Sequence, residues 1–285
     1  MLVVAVATSP RFRDLSPAQI VPILADAGVY IASEASFYRI LRHRKLLSHR
    51  SSARPASHTR PKEYVATAPN QVWSWDITYL KSSVRGKFYY LYLVVDLFSR
   101  MIVGWAVHDV ESSELAGALI LEACLRHGVD PERLILHSDN GGPMKGATML
   151  ATLQWLGIVP SFSRPSVKDD NPFSEALFRT LKYRPEYPSA PFESIEDAAT
   201  WVKKFVHWYN FEHLHSGIRF VTPASRHYGE DAAILEKRKE VYEEARRANP
   251  NRWTTGTRNW KHITAVSLNP TRRSQEPDRV LKERA

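Results

Sequence analysis

Trp73-Ser-Trp-Asp-Ile-Thr-Tyr79 alternates without a break. Successive side chains of an extended chain point to opposite faces, so Trp73, Trp75, Ile77 and Tyr79 fall on one side and Ser74, Asp76 and Thr78 on the other. The stretch predicts a half-buried strand with Asp76 at the centre of its polar row. Two more apolar strands are predicted from about Phe88 to Val95 and Met101 to Val107, each bounded by turn residues. A helix from about Ser113 to His127 then leads into Leu134-Ile-Leu136, a short buried strand, and on to His137-Ser-Asp-Asn-Gly-Gly142. Three strands, then helix and strand, then further helices argue an α/β fold, a mixed sheet flanked by helices.

Asp139 is expected just past the end of that buried strand, followed by Asn140, Gly141 and Gly142, which free the backbone for close approach to a ligand. Thirty-five residues separate it from Glu175. Around Glu175 a helix is expected, with Asp170 or Asn171 as its cap, Pro172 in its first position, and Phe173, Leu177 and Leu181 at a spacing of four. Glu175, Arg179 and Lys182 then lie within about 60° of one another on the side away from Phe173 and Leu177. An acid in mid-strand, a second after a neighbouring strand and a third on a flanking helix make a donor set for Mg²⁺ or Mn²⁺, which prefer carboxylate oxygen. Two such ions about 3.5–4 Å apart activate an attacking oxygen and stabilise a leaving one in phosphoryl transfer. Arg179 and Lys182 would meet the phosphates. Asp169 and Asp170 compete with Glu175 for the third place, but the start of a helix suits them to capping. Asp96, before a turn, is expected to bond Ser99 or the turn backbone.

These blocks carry a resemblance. Trp73-Ser-Trp-Asp-Ile-Thr-Tyr79, His137-Ser-Asp-Asn-Gly141 and Asp170-Asn-Pro-Phe-Ser-Glu-Ala-Leu-Phe-Arg-Thr-Leu-Lys182 resemble the three acidic blocks of the integrase catalytic core in retroviral integrases and insertion-sequence transposases. Trp208-Tyr-Asn-Phe-Glu-His-Leu-His-Ser-Gly-Ile218, with Thr222-Pro223, is similar to the tail block of transposases made from a second reading frame. The resemblance runs from about residue 15 to 270. It implies a ribonuclease H-like fold and a two-metal DNA strand transferase, with Asp76, Asp139 and Glu175 as catalytic metal ligands for two Mg²⁺ (or Mn²⁺) ions per site. In that family water cleaves a strand at the element end, and the freed 3′-OH attacks a second phosphodiester. It also implies as partners the double-stranded DNA of element ends and target, a first-reading-frame protein or fusion, and further copies of the chain on DNA.

The rest of the sequence is consistent with a polyanionic partner. Of 285 residues 39 are Lys or Arg and 30 Asp or Glu, a surplus of +9. The surplus sits at the ends. Residues 1–70 hold 10 bases and 4 acids, 71–188 hold 12 and 13, and 189–285 hold 17 and 13. Residues 1–48 are expected to form a helix-turn-helix-like DNA-binding region. Ser16-Pro17 opens its first helix, Pro22 kinks or delays it and Gly28 ends it; Ser33 opens the second, which carries Arg39, Arg42, His43, Arg44 and Lys45. Residues 49–70 read as a basic linker, 71–228 as the catalytic core, and 229–285 as a small tail domain of a basic helix, short strands and a charged end, with a hairpin between Trp253 and Leu268. Trp201, Phe205, Trp208 and Tyr209, at i, i+4, i+7 and i+8, are core packing.

Cys124 is the only cysteine. That excludes a disulfide and the two-His, two-Cys zinc site of retroviral integrases, and leaves His43, His49 and His58 as surface or linker residues. Met1–Ala7 is apolar but too short to span a bilayer, and no stretch nears 18 uncharged apolar residues, so a bacterial cytoplasmic protein, nucleoid-associated when on DNA, is expected, with no membrane partner. Consecutive His137, Ser138 and Asp139 point in alternate directions and cannot relay a proton as a triad. Two other functions remain in view: a catalytically silent DNA-binding relative acting as repressor or domesticated protein, which gains nothing from buried like charges, and a nuclease for hybrids or junctions, which needs no helix-turn-helix.

Overall fold

The computed structural model describes residues 2–13, 15–47, 62–164 and 170–270. The chain forms two compact units, Met1–Thr59 and Arg60–Ala285. In the first, α1 (Leu2–Ala7), α2 (Pro17–Asp26) and α3 (Glu34–His43) bury Val3, Phe12, Ile20, Phe37 and Leu41 in one small core. Ser16 opens α2, its N–H donating to Gln19 Oε1 at 3.1 Å, and Ser33 Oγ accepts from the Ser36 N–H at the start of α3. Pro22 does not delay α2, which runs through it; a proline there removes only one helical bond, to the carbonyl of residue 18. The helix α1 has no capping signal in the sequence, only a short apolar run. Arg39, Arg42, His43, Arg44 and Lys45 are all exposed. His49, His58 and most of the expected linker lie outside the described residues.

The second unit is built on one five-stranded sheet. Its elements in chain order are β1 (Tyr64–Ala66), β2 (Val72–Lys81), β3 (Phe88–Asp96), β4 (Ile102–His108), α4 (Ser113–His127), β5 (Ile135–Ser138), α5 (Gly142–Lys145), α6 (Ala147–Leu156), β6 (Val159–Phe162), α7 (Pro172–Tyr183), α8 (Ile195–Phe211), α9 (Pro223–His227), α10 (Asp231–Ala248) and β7 (Val266–Leu268). The sheet order is β4-β3-β2-β5-β6, with β2, β3 and β4 an antiparallel meander and β5 and β6 running parallel to β2. This is the ribonuclease H-like arrangement.

Helices cover both faces. Trp73, Trp75, Tyr92, Val94 and Val103 pack against Leu119, Ile120 and Ala123 of α4 and Met149 and Leu153 of α6. On the other face Leu91, Leu93, Val95 and Ile102 pack against Leu177 and Leu181 of α7 and Val202, Phe205 and Tyr209 of α8. Burial on both sides explains why β3 reads as an unbroken apolar run. It also corrects the half-buried reading of β2: Ser74 is fully buried because α7 lies on its face, whereas Tyr79, on the tryptophan face, is exposed. At the sheet edge, Asn210 of α8 closes on β4 in both directions, accepting from the Ile102 N–H at 2.9 Å and donating to its carbonyl at 3.0 Å.

Three readings at the ends are corrected. Tyr64–Ala66, expected to be linker, is a strand paired antiparallel with β7, so the chain just before the core and the chain well after it meet in one two-stranded sheet. No hairpin forms between Trp253 and Leu268, because Val266–Leu268 takes β1 as its partner instead. The helix α10 is not basic: it carries Lys237, Arg238, Lys239, Arg246 and Arg247 against Asp231, Glu236, Glu240, Glu243 and Glu244. Residues 271–285 lie outside the described residues. Among the described residues no helix is long and apolar enough to cross a membrane.

Candidate active site

The register of β2 with β5 pairs Ser74 with His137 and Trp75 with Ser138. One step further along both chains brings Asp76 alongside Asp139, on the face shared with Ser74 and His137. Asp139 lies one residue beyond the strand end and is held by Ser163, whose Oγ donates to its Oδ1 at 2.8 Å. Asp76 Oδ1 accepts from the Ile77 N–H at 2.8 Å. Beneath them the buried His137 ring reaches Ser161 Oγ at 3.0 Å and the Asp170 carbonyl at 2.9 Å. One face of the sheet thus connects to the loop that leads into α7.

A buried polar knot positions α7. Ser74 Oγ donates to Asn171 Oδ1 and lies 2.8 Å from Ser174 Oγ, and all three residues are buried. Glu175 follows directly and is exposed, with Arg179 and Lys182 exposed on the same helix. The expected capping is corrected here. Asn171 is the N-cap residue, but its side chain makes no capping bond because β2 holds it. Asp170 does not cap either: both its oxygens take the Arg164 guanidinium at 2.9 Å, and Oδ2 also takes the Arg164 N–H at 2.8 Å. That ion pair occupies Asp170, which leaves it poorly placed to bind a metal. Asp169 lies outside the described residues. Behind the helix, the Arg100 guanidinium stacks on the Phe173 ring at 4.2 Å.

Electrostatics couples the acids. Burial pushes the Asp76 carboxyl up to about 7, with the Asp139 charge adding to it, the Ile77 N–H opposing, and Glu175 and Glu111 adding further. Burial lowers the Lys182 ammonium, against which the Asp76 charge works. The charges of Asp139, Glu175 and Glu111 thus all reach Asp76; Glu111 sits in a loop, where no periodicity marks it out in the sequence. A carboxyl held this high by burial, with neighbouring acids adding, is relieved by a cation, and an all-oxygen donor set suits a hard divalent ion. Among the described residues no three His, Cys, Asp or Glu side chains close into a ready-made cage. Mg²⁺ does not require one, since it is commonly held by one or two carboxylates with water and substrate phosphate completing its shell.

Asp96 is a structural residue, as expected: its carboxylate accepts from Ser99 N–H and Oγ at 2.7 Å each and from Asn70 N–H at 2.7 Å. Cys124 is buried, and burial pushes its thiol up to about 11. The residues that sequence reasoning missed are the supports, Ser74, Ser163, Asn171 and Ser174. Ser74 left a signal, as a small polar residue two before Asp76 in the same alternating row, and Asn171 left one as a candidate cap, though not for its bond to Ser74.

Comparison with known proteins places this chain among others of related sequence. Two integrase core domain models match residues 66–167 and 156–223. The chain is 34% identical over 173 residues to the transposase for insertion sequence element IS904 of Lactococcus lactis, covering 59% of this chain and 67% of that one. It is 32% identical over 137 residues to the transposase InsF for IS3A of Escherichia coli, covering 48% and 46%. Among solved structures it resembles the catalytic core domain of HTLV-2 integrase in complex with magnesium at 20% identity and a TM-score of 0.42, over 56% of this chain and 97% of that one.

Proposed function

This chain belongs to the insertion-sequence transposases built on an integrase core domain, and from that membership we propose that it cuts and joins DNA strands at the ends of a mobile element. It spans about two thirds of the IS904 relative and less than half of the InsF relative, so the activity of the whole protein is part of this proposal. The carrying observation is the strand register that sets Asp76 alongside Asp139, with the helix of Glu175 tied to the same strand through Ser74.

In this reading Asp76, Asp139 and Glu175 hold two Mg²⁺ or Mn²⁺ ions. When bound, such ions activate an attacking oxygen and neutralise a leaving one. Ser163 fixes the direction of the Asp139 carboxylate, and the Ser74, Asn171 and Ser174 contacts fix the helix that carries Glu175. Arg179 and Lys182 meet the backbone phosphates on either side of the scissile bond. Arg39, Arg42, Arg44 and Lys45 hold duplex DNA through the first unit, and a first-reading-frame protein or fusion, with further copies of this chain, completes the assembly on element ends and target. A catalytically silent DNA binder is disfavoured, because the repulsion around Asp76 brings a binding module no benefit.

The test is a joining assay on a duplex carrying the element's ends, with Mg²⁺, Mn²⁺ or a chelator. Joined product that requires either ion supports the proposal. Equal product in the chelator, or none with either ion from protein that binds the duplex, contradicts it.

A further inference from the structure

The hairpin of β2 and β3 ends in exposed rings. Tyr79 pairs across the strands with Tyr90 and Lys81 with Phe88, so all four share one face. Tyr79 meets Tyr90 edge to face at 5.4 Å and Phe88 at a tilt at 5.7 Å between centroids. Tyr79 is 51% and Phe88 40% exposed, against the nearly complete burial of Trp73 and Trp75 on the same face of β2. α4 covers this face of the sheet around Trp75 and Tyr92 but leaves the end of the hairpin bare.

The charge carried by the hairpin itself is one-sided. Residues 77–95 hold Lys81, Arg85 and Lys87 and no acid, and all three bases are exposed. Glu111, in the loop after β4, is the acid nearby, and its charge raises the Tyr79 phenol. Tyr79 stands three residues beyond Asp76 on β2, about 10 Å along the strand and on its other face, so a strand of DNA crossing the end of the hairpin passes from the rings to the acidic residues. An apolar protein partner would not call for three bases beside the rings. A nucleic-acid strand would, because its bases stack on aromatic faces while its phosphates pair with cations.

We propose that Tyr79, Phe88 and Tyr90 form a stacking platform for unpaired nucleobases of a DNA strand leading to the acidic site, with Lys81, Arg85 and Lys87 holding its backbone. The proposal rests on the DNA-joining reading. It adds a single-stranded element to the substrate: bases next to the reacting phosphodiester leave the duplex and lie on the rings, at a cost of a few kcal/mol that stacking offsets.

The test uses the full chain with a labelled thymidine oligonucleotide and a blunt duplex as probes. Tyr79→Leu and Phe88→Leu keep apolar bulk between the strands and remove the aromatic faces; unchanged thermal unfolding reports that the hairpin is intact. Each substitution is expected to weaken binding of the single strand about fivefold or more and leave the duplex unaffected, while Tyr79→Trp restores it. Unchanged single-strand affinity in both leucine variants, with duplex binding and joining retained, overturns the platform and leaves the joining reading intact. Equal losses for strand and duplex overturn it as well, as does an altered oligomeric state with unaltered oligonucleotide binding, which assigns the rings to a protein partner. Wild-type protein that binds neither probe removes the joining reading along with it.

Discussion

Ser74 of β2 and Ser174 of α7 lie 2.8 Å apart, both buried, and this contact ties the strand of Asp76 to the helix of Glu175. Ser74 also donates to Asn171. Replacing Ser74 with Val leaves the Asn171 and Ser174 groups without that partner in an apolar layer. An unpaired buried polar group costs about 1–3 kcal/mol. The urea midpoint of Ser74→Val should fall accordingly, and joining should fall further than the loss of folded protein accounts for. A variant with normal stability and normal joining removes the link between strand and helix.

Two half-buried histidines contribute a pH dependence of stability. Burial lowers His227 to about 4, and burial, with Arg100 and His213 adding, lowers His215 to about 4. Above the ordinary value of 6.5 both are neutral, folded or unfolded, and contribute no pH dependence. As pH falls from 6.5 towards 4 the unfolded chain takes up protons that the folded chain does not, so stability declines by about 1.4 kcal/mol per pH unit for each histidine. The raised Asp76 carboxyl works in the opposite sense over the same window, so the comparison is with a variant: the urea midpoint of His227→Gln should fall less between pH 6.5 and 4 than that of wild type. An identical slope in that variant contradicts the assignment.

For the first unit, the four exposed bases at the end of α3 predict a salt dependence. Making Arg42 and Arg44 Ala should reduce the slope of log affinity for duplex DNA against log salt by about 0.9 for each phosphate that is no longer neutralised. An unchanged slope means that duplex DNA binds elsewhere.

Legibility followed the range of each interaction. The three strands, α4 and the start of α7 could be read locally, because a period of two, a Ser cap and an Asn-Pro pair act within a few residues. The candidate acids were legible by type and spacing. Their supports were not, since Ser74 meets Asn171 and Ser174 across about a hundred residues of chain. Long-range contact also explains the misread ends. Tyr64–Ala66 has no strand signal of its own and becomes a strand only because Val266–Leu268 returns to it, and Asp170, a natural cap by position, is taken by Arg164. Glu111 carries no local signal, and its charge reaches Asp76 only in the folded sheet.

The central claim is that Glu175 works with Asp76 and Asp139 on one bound strand of DNA. The direct measurement compares wild type and Glu175→Gln for joining with Mg²⁺ and, on the same preparations, for binding to the same duplex. Glutamine keeps size and helix and removes a charge, so joining should be lost while duplex affinity holds within about twofold, as expected for removing a group that acts on the reaction and not on binding. Undiminished joining in Glu175→Gln would contradict the account.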